Sequence, residues 1–166
     1  GILSDTLALR SATTTEEDVR LSSYLAEKAR LDIQQFGSEI LAASSKIGSR
    51  PAAEIISMDL KKYSHGDSAY TVSQVEVSSL DDIRRRSGEI LGELESMRTA
   101  QNLLFATIMV TDITTLNSAL FIKGDMTIIR EIAYPKMEES VFLLKGIVSR
   151  KKQLLPYLTD LLKALS

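Results

Sequence analysis

Residues 103–110 read Leu-Leu-Phe-Ala-Thr-Ile-Met-Val, an apolar run interrupted by a single threonine. The run has the length of a strand, and it lacks the alternation of apolar and polar residues typical of a strand with one face in water. We therefore predict a strand that is covered on both faces. Because a membrane-spanning helix needs about 20 apolar residues, the run is too short to cross a bilayer, and we expect no membrane segment.

Helical and strand patterns alternate on both sides of this run. The predicted elements are a short helix over 52–58, strands over 69–77, 119–122 and 141–148, helices that start at 79 and 125, and a helical tail over 149–165. In the strand over 69–77, Tyr70 and Val72 share one face and Val75 and Val77 share the other, which predicts a bulge or burial on both faces. The alternation indicates an α/β fold with a mixed β-sheet flanked by helices.

An N-terminal helical segment precedes the predicted sheet. Thr14 and Glu17 have the spacing of a capping box, and Asp32 and Gln35 repeat it, which predicts two helices in succession. Residues 44–51 are small, polar and punctuated by glycine and proline, which is typical of a linker.

The composition is that of a globular protein. Of the 166 residues, 44% are hydrophobic and 25% are charged, which provides enough apolar side chain for a core. The net charge of −2 gives no overall basic field, so we expect no nucleic-acid partner. The absence of cysteine excludes disulfides and fits the cytoplasm. Because the chain begins without methionine in an apolar segment, we expect a fragment of a longer protein.

An anion-binding site is indicated where the last predicted strand runs into the helical tail. Ser149 can cap a helix, and Arg150, Lys151 and Lys152 fill its first turn. Cations are unfavourable there because a helix N-terminus already carries about half a positive charge, whereas free N–H groups together with cations suit an anion. A solvated basic turn fits the same residues, because surface electrostatics are weak, and the pattern alone leaves both interpretations open.

Other candidate residues carry weaker patterns. Lys61 is a second basic point, on an apparently irregular stretch before a strand. Residues 84–86 are three arginines that follow two aspartates at helical spacing, which favours a solvated, ion-paired face. Asp5 lies among apolar residues and either caps a helix or binds a metal, because a buried carboxylate needs a partner. The single histidine, His65, is predicted to lie in a polar turn, and one histidine without cysteines cannot build a typical zinc site.

Several segments, taken in order, are similar to parts of one known family. Segments 2–7 (Ile-Leu-Ser-Asp-Thr-Leu) and 11–18 (Ser-Ala-Thr-Thr-Thr-Glu-Glu-Asp) resemble the end of the catalytic domain of the family II (manganese-dependent) inorganic pyrophosphatases. Those similar to its C-terminal, DHH-associated domain are 59–61 (Asp-Leu-Lys), 74–75 (Gln-Val), 110–113 (Val-Thr-Asp-Ile) and 149–153 (Ser-Arg-Lys-Lys-Gln). The chain departs from the family pattern at Ala12, where proline is usual, and at Glu76, where asparagine commonly follows Gln-Val.

The resemblance implies one half of an enzyme that hydrolyses pyrophosphate to two phosphates in a cleft between two domains. On this basis, residues 1–47 are the end of the catalytic, DHH-type domain plus a linker, and residues 48–166 are the substrate-binding, DHH-associated domain. The chain contains no Asp-His-His motif, so we expect the isolated fragment to be inactive.

The resemblance also assigns roles to individual residues. Lys61, Arg150 and Lys151 are implied to bind the phosphates, and Asp5 is implied to be one ligand of an otherwise missing metal set. Manganese is the implied metal of the parent protein, with magnesium or cobalt as alternatives, and we expect no metal in the fragment. The implied partners are pyrophosphate or phosphate and the missing catalytic domain, and a homodimer is a further option.

Two alternatives remain open at this point. The first is a related phosphoesterase or polyphosphatase of the same superfamily, against which the Ser-Arg-Lys-Lys-Gln sequence of residues 149–153 favours a pyrophosphatase. The second is a non-catalytic, anion-binding regulatory module, which a parent protein without the Asp-His-His motif would favour.

Overall fold

The computed structural model describes residues 1–6, 8–9, 14–44, 47 and 49–165. Parts of the predicted linker (45, 46 and 48) and of the resemblance (7 and 11–13, with Ala12) lie outside the described residues. The described elements are α1 (Ile2–Asp5), α2 (Glu16–Ala29), α3 (Ile33–Ser44), α4 (Ala52–Ser57), β1 (Lys61–His65), β2 (Ser68–Val77), α5 (Leu80–Arg84), α6 (Ser87–Ala100), β3 (Phe105–Asp112), β4 (Asn117–Gly124), α7 (Met126–Arg130), β5 (Lys136–Glu138), β6 (Val141–Lys145), a π-helical turn (Arg150–Leu154) and α8 (Leu155–Ala164).

A mixed six-stranded sheet organises the chain from β1 onwards. Its strand order is β1-β2-β3-β4-β6-β5, in which β2 and β3 are parallel and the other neighbouring pairs are antiparallel. Parallel neighbours need a crossover connection, and α5 and α6 form the one between β2 and β3. The predicted α/β fold with a mixed sheet and flanking helices is confirmed.

Strand β3 is buried along its whole length because helices cover both faces of the sheet. Ala106, Ile108 and Val110 contribute to a core that also contains residues of α4 and α6, whereas Phe105 and Met109 contribute to a second core with residues of α7 and α8. The apolar run at 103–110 is therefore the consequence of a strand that has no face in water.

Strand β2 is also buried on both faces, without the bulge that the sequence left open. Its pairing with β1 and with β3 runs without interruption. Tyr70 and Val72 lie in the core beneath α7 and α8, and Val75 and Val77 lie in the core beneath α4 and α6. Ser73 is polar and yet buried in this strand, because its hydroxyl donates a hydrogen bond to a main-chain carbonyl of α4.

The structure has strand β1 where the sequence predicted an irregular stretch at Lys61 and a turn at His65, so both predictions were wrong. Most of its side chains are exposed and polar, so the sequence carried no apolar alternation, and pairing with β2 forms the strand. Gly66 has a φ of +56° in the two-residue turn between the strands, a conformation that L side chains rarely adopt.

The long helix predicted from Ser79 is interrupted. Ser79 caps α5 as expected, because its hydroxyl accepts from the Asp81 N–H at 3.3 Å. The Ser87 hydroxyl donates to the Arg84 carbonyl at 2.6 Å, and this local bond competes with a continuous helix. The arginines of residues 84–86 lie at the junction and form the predicted ion-paired face with Asp81, Asp82, Glu89 and Glu138.

The capping box of α2 lies one residue later than predicted. The Asp18 N–H donates to the Thr15 hydroxyl at 3.2 Å, and the Thr15 N–H donates to the Asp18 carboxylate at 2.8 Å. Three successive threonines precede three acidic residues, so the sequence pattern fits both registers. Asp32 caps α3 as predicted, since its carboxylate accepts from the Gln35 N–H at 2.8 Å.

No helix among the described residues is long and apolar enough to cross a membrane.

We expect replacement of Gly124 by alanine to destabilise the sheet. Gly124 in β4 lies opposite Phe105 in β3, and an added Cβ would overlap the Cβ of Phe105 and lie 2.8 Å from the Leu104 carbonyl oxygen. Overpacking of a well-packed core typically costs about 1–3 kcal/mol. Urea denaturation of G124A should show a loss of unfolding free energy in that range.

The matched control is G92A in α6. Nothing lies within 4 Å of a Cβ added there, and alanine is favoured over glycine in a helix by roughly 0.5–1 kcal/mol. The two alanine variants should therefore change stability in opposite directions. A G124A protein as stable as the wild type would contradict the described packing of β3 against β4.

Candidate anion-binding site

A π-helical turn connects the last strand to α8. The N–H groups of Gln153 and Leu154 both donate to the Ser149 carbonyl oxygen, at 3.0 and 3.2 Å. Pro156 follows in the first turn of α8, where it cannot donate a hydrogen bond and its ring would clash with a carbonyl one regular turn earlier. A wide turn relieves this conflict, so the predicted helical tail is confirmed with a π-helical start.

Gln153 fixes the corner that precedes this turn, defined here as residues 146–150. Its Oε1 accepts from the N–H groups of Val148 and Ser149, at 3.0 Å each, and its Nε2 donates to the Gly146 carbonyl at 3.0 Å. Ser149 in turn caps the helix as predicted, because its hydroxyl accepts from the Lys152 N–H at 3.2 Å. Gln153 thus satisfies three main-chain polar groups of the corner, those of Gly146, Val148 and Ser149.

Gln74 of β2 ties the same corner to the sheet. Its Nε2 donates to the Val148 carbonyl at 3.1 Å, and its Oε1 accepts from the Arg150 N–H at 3.3 Å. The main chain of Arg150 is therefore held against β2 by a side chain 76 residues earlier in the sequence.

The guanidinium of Arg150 meets three oxygen atoms and is largely buried, with 12% of the side chain exposed. Its Nη1 donates to the carbonyl oxygens of Asp59 and, at 3.3 Å, of Val72. Its Nη2 lies 2.9 Å from Oδ2 of the Asp59 carboxylate. Lys61 pairs with Val72 in the register of β1 and β2, and its Nζ lies 3.9 Å from Oδ1 of Asp59. The structure thus brings Lys61 and Arg150 to one carboxylate.

The other two predicted site residues lie at the surface. Lys151 is exposed in the π-helical turn, directly after Arg150. Asp5 is exposed at the end of α1, near enough to Glu76 for its charge to affect the ionisation of that residue. Glu76 and Asp59 both line an open depression of about 320 Å³ beside Gln74.

Burial, and secondarily the negative charge of Asp5, raise the pKa of the Glu76 carboxyl to about 7. Glu76 follows Gln74 and Val75, at the position where the resemblance implies asparagine. Below its pKa the protonated carboxyl is neutral, as an amide is, so the exchange alters the charge of the depression chiefly at alkaline pH.

Comparisons with known proteins identify the family of the chain. The DHHA2 domain family matches residues 38–161. The chain belongs to this family. Among its relatives, a probable manganese-dependent inorganic pyrophosphatase of Bacillus velezensis is 34% identical over 161 residues, which are 96% of this chain and 52% of the relative. The manganese-dependent inorganic pyrophosphatase of Bacillus subtilis is 32% identical with the same coverage.

A solved structure supports the DHHA2 fold directly. The crystal structure of a putative family II inorganic pyrophosphatase from Methanococcus jannaschii has a TM-score of 0.85 and 32% sequence identity, over 96% of this chain and 52% of that one. The DHHA2 chain thus spans about half the length of the relatives that it matches. The resemblance drawn from short segments of the sequence is confirmed.

Sequence reasoning missed the residues that hold this site together. Asp59 and Gln74 were quoted only as parts of Asp-Leu-Lys and Gln-Val, and Gln153 only as the end of Ser-Arg-Lys-Lys-Gln. Each of the three nevertheless contacts Arg150 or the corner in front of it. The available signal was that the segments similar to the family also contain acidic and amide side chains, which a search for phosphate-binding cations passes over.

We expect Glu76 to make stability depend on pH. Its pKa is about 7 in the folded chain against 4.5 ordinarily, so the folded state keeps a proton that the unfolded state has lost between these values. Unfolding free energy therefore falls as pH rises through this window. Glu76→Gln, which stays neutral, should be more stable than the wild type by about 1 kcal/mol at pH 8, after allowance for partial exposure. Near pH 4.5 this charge-related gain should vanish.

Urea denaturation of both proteins at low and high pH measures this difference. Glu139→Gln is the matched control, because Glu139 is exposed in the turn between β5 and β6 and its replacement should change stability little at either pH. A gain for Glu76→Gln that is equal at both pH values would assign it to packing instead of charge.

Proposed function

We propose that this DHHA2 chain is the phosphate-binding half of an enzyme that hydrolyses inorganic pyrophosphate to two phosphates. Support for the reaction comes from relatives named as manganese-dependent inorganic pyrophosphatases that align with 96% of the chain. Support for the site comes from one observation. Lys61 and Arg150, far apart in sequence, face the same carboxylate at the start of a helix, with Lys151 beside them.

In this proposal the three cations bind and neutralise phosphate oxygens. Arg150 offers a planar set of donors that matches two oxygens of one phosphate, and the lysines add compact charges. Phosphoryl transfer depends mainly on such positioning and charge stabilisation. The Gln74 and Gln153 hydrogen bonds fix the main chain that carries Arg150, so this main chain needs little reorganisation when an anion arrives.

Manganese fits the names of the relatives, but the described part of the chain does not provide a site for it. Among these residues, no three histidine, cysteine, aspartate or glutamate side chains form a cluster that could hold a metal ion. Asp5 is exposed and is proposed as one ligand of a set whose other members belong to the rest of the parent enzyme. No step of the reaction is therefore assigned to a metal held by this chain.

We assign residues 1–47 to the end of the catalytic domain and residues 48–166 to the substrate domain. Large apolar side chains on α2 and α3, including Tyr24, Leu25 and Phe36, are 39–56% exposed. This exposure supports a segment that packs on further protein, either the rest of the parent enzyme or a second copy. The lack of cysteine is consistent with a reducing compartment, and we propose the cytoplasm.

Loss of the Arg150 side chain should weaken binding of pyrophosphate to the chain. We expect a dissociation constant near millimolar for the wild type in the absence of metal, which is about −4 kcal/mol. Arg150→Ala should weaken binding by roughly tenfold, and Arg150→Lys by less, because it keeps the charge and loses the planar donors. Lys151→Ala should weaken it by roughly threefold, as a more exposed contact would.

Isothermal titration calorimetry at low salt measures these affinities, with circular dichroism to verify folding. Arg85→Ala is the matched control, because Arg85 is an exposed arginine paired with Asp82 and contacts none of the site residues named above. Equal binding by the wild type and both Arg150 variants would place the anion elsewhere.

The chain alone should not turn over pyrophosphate. With Mn²⁺ and pyrophosphate, phosphate release should stay at the level of the reaction without protein, because the described residues hold no metal cluster. The parent enzyme should release phosphate from pyrophosphate faster than from tripolyphosphate. Rapid release by the isolated chain, or a preference of the parent for tripolyphosphate, would contradict this assignment.

A further inference from the structure

The Asp59 carboxylate occupies the place in front of both cations that are proposed to bind phosphate. Its Oδ2 lies 2.9 Å from Nη2 of Arg150, and its Oδ1 lies 3.9 Å from Nζ of Lys61. Each oxygen of one anionic group thus faces a different cation. Two oxygens of a bound phosphate would need the same positions.

The carboxylate is not required to position Arg150. The guanidinium is held from another direction by the main-chain carbonyls of Asp59 and Val72, through Nη1. The Arg150 main chain is held by Gln74 and by the Gln153 bonds to the preceding residues. These contacts involve uncharged groups and remain when the charge on the Asp59 side chain is removed.

The carboxylate is also the accessible member of the ion pair. The Asp59 side chain is 53% exposed, whereas that of Arg150 is 12% exposed. Lys61 is 58% exposed, so nothing comparable confines its ammonium group. A partner that is half in water can move away from the guanidinium at small cost, because exposed ion pairs contribute little free energy.

We infer that the Asp59 carboxylate is an internal competitor of the anion: phosphate oxygens reach Arg150 and Lys61 by displacing it. This inference rests on the proposed function, since it concerns the same cations. It assigns to Asp59 the role of setting the affinity of the site. In the absence of an anion, the carboxylate neutralises cations that would otherwise be clustered next to a helix start, where they are unfavourable.

The backbone at Asp59 allows a clean test. Asp59 has a φ of +43°, a left-handed conformation that asparagine adopts readily and that glycine adopts without strain. Asp59→Asn therefore keeps the turn, the shape of the side chain and the main-chain contact with Arg150, and removes only the charge. Asp59→Gly keeps the turn and removes the side chain altogether.

The experiment is a calorimetric titration of the full 166-residue chain with pyrophosphate, without metal, at low salt and neutral pH. Asp59→Asn should bind roughly three- to tenfold more tightly than the wild type, the range expected for losing one partly exposed competing charge. Asp59→Gly should also bind more tightly. Asp82→Asn is the control: it removes the same charge from an Asp–Arg ion pair that includes no residue of the site, and its affinity should change by less than about twofold.

Arg150→Ala, made alone and together with Asp59→Asn, separates the two claims. The gain from Asp59→Asn should be smaller in the double variant, because the carboxylate then competes with the anion only for Lys61, whose Nζ is the more distant cation at 3.9 Å. If both Asp59 variants fold and bind as the wild type does or more weakly, while Arg150→Ala loses binding, the competitor role is wrong and the anion site stands. If Arg150→Ala binds as well as the wild type, the proposed site itself is wrong.

Discussion

The parallel pairing of β2 with β3 is the constraint on which the rest of this structure depends. Parallel neighbours force the chain to cross over one face of the sheet, and α5 and α6 make that crossing. The other face is covered by α7 and α8. Both strands are consequently buried on both sides, and Gln74 of β2 bonds to the main chain of the corner at Val148 and Arg150. The corner at 146–150 leads into α8, one of the two helices that cover this second face of the sheet.

The corner combines features that are unfavourable singly and compatible together. Cations follow a helix cap, where the local field opposes them, and a proline lies in the turn that follows. The π-helical turn accommodates the proline, the two glutamines satisfy the main chain, and the Asp59 carboxylate offsets the guanidinium. Unfavourable local features of this kind persist only where the surrounding structure compensates for them.

The sequence predicted the strand whose residues are completely buried. It did not predict the strand that forms only through hydrogen bonds to a neighbouring strand. The run at 103–110 predicted β3 correctly because apolar residues on both faces leave an unmistakable pattern. Strand β1 was missed because its side chains are polar and exposed, and its existence depends on hydrogen bonds to β2 that no local pattern records. The break after Arg84 and the shifted capping box at Thr15 were local competitions between near-equal alternatives.

The same limits apply to the site. The clustered cations at 150–152 were visible in the sequence. Their relation to Lys61 came only from the family resemblance. In the structure, Lys61 and Arg150 lie near the same carboxylate, that of Asp59. Asp59 was invisible as a participant because a lone aspartate in a turn has many uses. Glu76 stood out only as a departure from the family pattern, and its raised pKa follows from packing that a linear pattern does not contain.

The docking of α8 on the sheet has a consequence for how a bound anion would be detected. Leu154, Leu158 and Leu162 anchor this helix in the second core, and its π-helical start carries Arg150. Local opening of the helix would therefore dismantle the candidate anion site, and an anion held there would oppose that opening more strongly as its concentration rises. Amide hydrogens of α8 that do not touch the anion would then exchange more slowly with solvent deuterium when an anion is bound.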